Sequence, residues 1–290
     1  MPEHLTGPTV LRNRTCAYCG CELSKATATK EHVIGRRFVP RGTLNGRWNL
    51  ILRACVACNA KKATLEDDIS AISMQPNAAG RFHEASDRAL QEEVARKGER
   101  SVSRRTGKAV GLSQETVRLR GNLGPMRMEF SWIGPPQVDE DRVAALARFH
   151  VAALMYWLTY DEVQRIGNFI PGGFFPLRPA MRGDWGNAVH REFMRKVVSW
   201  SERLVGYTAG GYFGVAIRRL NNAPCWSWAL EWNRNLRVVG LLGEEDLAKS
   251  FTAELPELQY QAIETSDGSC WRRRTEEPLL DVEDELFNRN

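Results

Sequence analysis

Two apolar periods alternate along this chain, and where they change suggests how it folds. Residues 139–163 and 187–205 return apolar side chains every three or four positions, which predicts two helices. Residues 212–219, 226–232 and 237–241 alternate or run apolar over short stretches, which predicts strands. In the second of these, Trp226, Trp228, Leu230 and Trp232 share one side, a pattern that reads as a buried sheet face more readily than as a platform for stacked bases. Residues 116–120 and 126–132 alternate around an Asn-Leu-Gly-Pro turn and predict a hairpin, and Pro135-Pro136 marks a boundary after it. Upstream, residues 66–73 and 81–97 carry helical spacing. The first 66 residues hold neither period for long and show only short strand-like runs at 31–34 and 48–52. Residues 97–108 are rich in cations, Gly and Ser and read as an exposed flexible loop able to touch a phosphate backbone, and the acidic stretch 275–284 reads as peripheral. The expectation is an α+β protein with a small module over residues 1–66, a helical and hairpin connector over 67–135, and a larger α+β domain of unknown fold and role over 136–290.

Composition agrees with a folded chain: of 290 residues, 43% are hydrophobic, 26% charged and 9% aromatic. The longest apolar stretch, 143–158, is interrupted by Arg148 and His150 and is shorter than the ~20 residues that cross a bilayer, so it reads as a core helix, with His150 a core residue. The first residues lack the apolar run of a secretory signal, and the expected location is cytoplasmic, with no membrane partner. Net charge changes the picture more. Residues 1–62 carry eleven cations against three anions, a net +8, which leaves −3 for the remainder of a chain whose total is +5. A basic segment fused to a mildly acidic body is the pattern expected where one face docks on a polyanion, although a solvated basic surface gives the same count.

Four of the seven cysteines form two pairs, Cys16-Ala-Tyr-Cys19 and Cys55-Val-Ala-Cys58. Each pair can place two thiolates on one tetrahedral ion, and a closed four-sulfur site is structural zinc chemistry. Metal binding there becomes folding free energy for a module with few large apolar side chains. Cys21 is a possible substitute ligand and reads as a bystander thiol.

Between the pairs lies Lys30-Glu31-His32-Val33-Ile34, then Asn49-Leu50, and the second pair continues as Cys58-Asn59-Ala60-Lys61-Lys62. This order of elements, spanning about 50 residues from Cys16 to about Glu66, resembles the HNH endonuclease family with its ββα-metal fold. The resemblance implies that His32 is the general base that takes a proton from water, that Glu31 and Asn59 ligate a catalytic magnesium or manganese ion, and that Asn49 braces the hairpin loop through backbone hydrogen bonds. Lys62, one turn beyond Asn59, and Arg36, Arg37 and Arg41 in the arginine-rich loop are then candidate nucleic-acid contacts. The chain departs from the family pattern where Glu31 stands for the commoner Asp and Gly35 for the frequent Pro. Asn59 in place of His argues against an all-histidine zinc or nickel centre. The implied activity is hydrolysis of phosphodiester bonds in nucleic acid, DNA by first choice, in restriction, defence or mobile-element biology. The alternative is a noncatalytic zinc-ribbon nucleic-acid-binding protein in which Glu31 and His32 are incidental. The sequence leaves open DNA against RNA, strandedness and oligomeric state.

Overall fold

The architecture is that of a computed structural model describing residues 7–76, 87–123, 126–168, 172–264 and 270–287. Three strands open the chain, β1 (Thr9–Val10), β2 (Ala28–His32) and β3 (Leu50–Cys55), in the order β1-β3-β2. β2 runs antiparallel to β3 with Glu31 opposite Leu52 and His32 opposite Ile51. Helix α1 (Val56–Ser73) starts directly behind β3, so β2, β3 and α1 form a ββα unit. It begins ten residues before the expected 66–73 helix, because Cys55 ends β3 as the helix cap and Cys58 already lies in the first turn. Helix α2 (Arg88–Arg100) follows, its first turn capped by Asp87, whose carboxylate accepts the Leu90 N–H at 3.1 Å; residues 81–86 of the expected helix lie outside the described residues.

The hairpin β4 (Glu115–Leu123) and β5 (Met126–Gly134) leads to α3 (Glu140–Leu158), which carries Glu140 and Asp141 at its electropositive end. Beyond lie β6 (Gly173–Pro176), β7 (Ala180–Met181), α4 (Ala188–Val197), β8 (Ser201–Thr208), β9 (Phe213–Arg219), β10 (Cys225–Trp232), β11 (Leu236–Gly243), α5 (Glu245–Ala253), β12 (Gln261–Glu264) and β13 (Cys270–Arg273). The main sheet runs β6-β11-β10-β9-β8 with antiparallel neighbours, and β7 also pairs with β11. The protein is α+β, as expected. One helix is shorter than its pattern suggested: 187–205 divides, ending at Val197 and resuming as the edge strand β8. There Leu204 and Val205 point to opposite faces of the sheet, a period of two that adjacent apolar residues conceal in sequence.

Both faces of this sheet are covered. On one, Trp228, Leu230 and Trp232 pack with Leu146 and Leu154 of α3 and with Phe38, Leu50, Leu52 and Ile69 from the first 73 residues, all in a single apolar cluster. On the other, Ala229, Val239 and Leu241 meet Phe193 and Val197 of α4, Ala248 of α5, and Leu286 and Phe287. The chain end is therefore not peripheral. Leu279 and Asp284 are buried, and Asp284 joins Glu231 (3.2 Å from Arg237) in clamping the Arg237 guanidinium, which a central strand places where no water can solvate it. Nor is 97–108 a loose loop. Lys97 and Arg100 belong to α2, Ser101 and Ser103 are buried, and Arg105 is tied to Glu115 at 2.7 Å and Asp139 at 3.2 Å. Among the described residues no helix is long and apolar enough to cross a membrane.

Candidate functional site

The cysteines converge where the ends of β3 and α1 meet the turn at 16–21. That turn is closed by Cys16 N–H on the Cys21 carbonyl at 2.8 Å and passes through Gly20 at φ +77°, a backbone state that favours glycine. The thiols of Cys16, Cys19, Cys21 and Cys55 all lie within 4.8 Å of one another, and the Cys55 N–H points at Cys16 Sγ, 3.4 Å away. Sulfurs around a tetrahedral zinc at about 2.3 Å would be separated by roughly 3.8 Å, so the four thiols fit one ion with small adjustments. Cys58 stands beside them, within hydrogen-bonding reach of Cys55 and Cys19. The expected tetrad of Cys16, Cys19, Cys55 and Cys58 is thus joined by a fifth thiol: the turn doubles back and brings Cys21 beside Cys19, within 4.8 Å of Cys16, Cys19 and Cys55, so Cys21 and Cys58 both stand where a fourth ligand would. Burial opposes ionisation of Cys19, but hydrogen bonds from the Cys21 backbone and from the Cys21, Cys16 and Cys58 thiols outweigh it and bring that thiol down to about 7. Such a group is readily a thiolate ligand.

β2 sends successive side chains to opposite sides. His32 lines a cavity of about 520 Å³ together with Asn49 and the guanidinium groups of Arg36, Arg37, Arg41 and Arg47, all four of them exposed. The loop behind it is pinned by Asn49, which donates to the Ile34 carbonyl at 2.9 Å and accepts the Ile34 N–H at 3.2 Å. A single amide here replaces two backbone hydrogen bonds of the ladder. His32 Nε2 is buried and has no hydrogen-bond partner among the described residues. Burial first, then the charges of Arg36, Lys30 and Lys62, push its imidazole below the ordinary histidine value, so the ring is neutral at neutral pH.

Glu31 faces helix α1 and is 4% exposed. Its Oε1 accepts the Tyr18 hydroxyl at 3.0 Å and lies 2.8 Å from Lys62 Nζ. Lys62, 1% exposed, also reaches Glu66 at 2.6 Å and the His32 carbonyl at 3.3 Å. It is therefore not a surface phosphate contact; it ties α1 to the backbone of the residue that lines the cavity. Burial alone would lower the Lys62 pKa, but Glu66 and Glu31 outweigh it and hold the ammonium above the usual lysine value. Glu66 is held down to about 2: burial pushes it up, and Lys62 and His150 more than reverse that, whereas for Glu31 burial wins and its carboxyl is raised. Lys62 is thus shared between the two carboxylates, 2.6 Å from Glu66 and 2.8 Å from Glu31. His150, 3.7 Å from Glu66, is brought down to about 4 by burial and makes a neutral contact, wedged edge-on against Phe38, Phe213 and Trp232. Gly35 explains one departure from the family pattern. Its N–H donates to Glu66 at 3.3 Å, and a Cβ there would stand 2.5 Å from Glu66 Oε2, so a proline would lose the bond and collide with the carboxylate.

Asn59 donates its amide to Thr29 Oγ1 at 3.0 Å. Thr29 and Glu31 share one side of β2, and Asn59 and Lys62 lie one turn apart above them, so the Glu31 and Asn59 side chains are neighbours on the helix-facing side. Neither Glu31 Oε2 nor Asn59 Oδ1 carries a hydrogen bond among the described residues. One carboxylate oxygen and one amide oxygen fit a weakly held hard cation, whose affinity the nearby ammonium lowers. The site residues therefore fall into two groups about β2: His32 and Asn49 with the arginines, and Glu31 and Asn59 with Lys62. Residues that the sequence reading passed over are Tyr18 and Glu66; Glu66, four residues after Lys62 on a helix, carried a visible ion-pair spacing.

Lys62→Met should lower stability by about 3–5 kcal/mol, since it leaves Glu31 and Glu66 buried without their cation. Urea unfolding measures this, and Lys62→Met combined with Glu66→Gln should recover part of the loss. A drop below about 1 kcal/mol, the average for any point mutation, would show that the pair is not a structural one.

No protein-family model matches the chain, and neither the curated proteins nor the solved structures compared with it give a match.

Proposed function

We propose that this protein is a nuclease of the HNH kind, hydrolysing phosphodiester bonds in nucleic acid, DNA by first choice. One observation carries the reading: His32, neutral and without a partner on Nε2 among the described residues, lines an arginine-walled cavity whose loop is braced by Asn49. Arg36, Arg37, Arg41 and Arg47 would hold phosphate oxygens, and His32 would accept the proton of the attacking water. Lys62 and Asn49 would keep the imidazole in place, one through its own carbonyl and the other through Ile34. Glu31 and Asn59 would hold magnesium or manganese, which supplies positive charge to the phosphate and the leaving oxygen. Cys16, Cys19, Cys21 and Cys55 would hold structural zinc, with Cys58 as neighbour.

The burial of Glu31 against Lys62 favours a second reading, a noncatalytic zinc-bearing nucleic-acid-binding protein. Nicking of plasmid by the purified chain separates the two. Brief treatment with EDTA should abolish nicking, and magnesium or manganese without added zinc should restore it, because a weak oxygen site empties before a thiolate site does. Activity that returned only with zinc, or that survived Glu31→Ala together with Asn59→Ala, would refute the metal assignment, and no nicking under any ion would favour the noncatalytic reading.

A further inference from the structure

A second basic cavity adjoins the first. Its volume is about 500 Å³, and Arg36, Arg37 and Arg41 line both, so these three side chains form a ridge between them. The far wall of the second cavity is α2, which contributes Arg96, Lys97 and Arg100. α2 lies outside the ββα unit yet is bolted to the ridge: Lys97 Nζ donates to the Arg37 carbonyl and to Ser70 Oγ. Arg96 is held by buried Glu93 through both of its carboxylate oxygens, one contact at 3.1 Å, which fixes the guanidinium before any ligand arrives. Arg100 is exposed, and Arg36, Arg37, Arg41 and Arg100 have no ion pair among the described residues. Three acids also line this cavity: Glu66 is paired with Lys62 and Glu93 with Arg96, while Asp67 accepts the Ser101 hydroxyl at 3.1 Å and has no ion pair among the described residues, so cations outnumber unpaired acids along the wall.

We propose that α2 is part of the nucleic-acid-binding surface, so that a phosphodiester backbone runs from the His32 cavity across the Arg36, Arg37 and Arg41 ridge onto Arg96 and Arg100. This rests on the nucleic-acid reading of the His32 site. Exposed cations placed along a rigid ridge suit a repeating anion and not a single phosphate, and contacts of this kind add affinity without reading sequence. The connector between the ββα unit and the main sheet thus lengthens the footprint on the substrate beyond the bond that is cut.

The test is binding of the full chain to a labelled DNA duplex, measured by fluorescence polarisation in EDTA over a range of salt. Arg96→Gln with Arg100→Gln should raise Kd and reduce the slope of log Kd against log salt by about 2, one for each lost phosphate contact. Arg203→Gln with Lys249→Gln, which removes the same charge from exposed positions elsewhere, should leave the slope unchanged. Equal slopes for the α2 variant and the wild type, alongside a reduced slope for Arg36→Gln with Arg41→Gln, would overturn the role of α2 and leave the nuclease reading standing. No binding by the wild type to duplex or to single strands would overturn both. Unchanged thermal unfolding of the α2 variant separates lost contacts from lost fold.

Discussion

Replacing His32 with alanine should reduce phosphodiester cleavage by about 10²- to 10⁴-fold, the usual contribution of a positioned general base, while leaving nucleic-acid affinity and unfolding temperature close to those of the wild type. The separation of effects follows from the geometry. The positive charge of the cavity resides on Arg36, Arg37, Arg41 and Arg47, which the substitution does not touch. The imidazole makes no hydrogen bond among the described residues through Nε2, so its removal leaves no partner stranded. Asn49→Ala should act differently. It frees the Ile34 N–H and carbonyl, which are buried, and so should cost stability as well as rate. Cleavage by His32→Ala at the wild-type rate would remove the catalytic assignment.

Loss of the proposed zinc site should be the largest structural effect. Cys55→Ser is expected to lower zinc content and stability together, because Cys55 lies between the two arms of the cluster: its N–H meets Cys16 and its thiol stands 3.8 Å from that of Cys19. Structural zinc sites of this kind contribute on the order of 10 kcal/mol to folding at neutral pH, so the variant should be partly unfolded without any change in its core. The fourth ligand is decided by comparing Cys21→Ser with Cys58→Ser. Sulfur positions favour the larger loss of zinc at Cys21, whereas the paired spacing alone favours Cys58. Full zinc content in Cys55→Ser would mean that the cysteines do not form one site.

The candidate site was legible in sequence to different depths. Asn49 could be given its bracing part because the resemblance to the HNH pattern implies it, and its two bonds to the Ile34 backbone are of the kind expected. Lys62 could not. A lysine beside another lysine reads as surface charge, and only the packing of α1 against β2 shows it turned inward, toward Glu31 and the His32 carbonyl as well as Glu66. The fourth sulfur was legible only in part for a similar reason: spacing of two residues points to Cys58, and the left-handed step at Gly20 also brings Cys21 back beside Cys19, which no spacing along the chain shows.

By itself the sequence determined whatever depends on neighbours along the chain. The strand alternation of β9 to β11, the apolar helix α3, the cysteine turns and the opposite facing of Glu31 and His32 follow from periods of two and 3.6, which a local pattern carries. Tertiary structure decided what depends on meetings between distant segments. It merged the interior of the first 73 residues with one face of the main sheet, drew the acidic chain end over Arg237, and set α2 against the arginine ridge. Those outcomes have no period to betray them. They arise because a buried charge must find its partner wherever the fold supplies one, and because an apolar face left by one segment can be covered only by another.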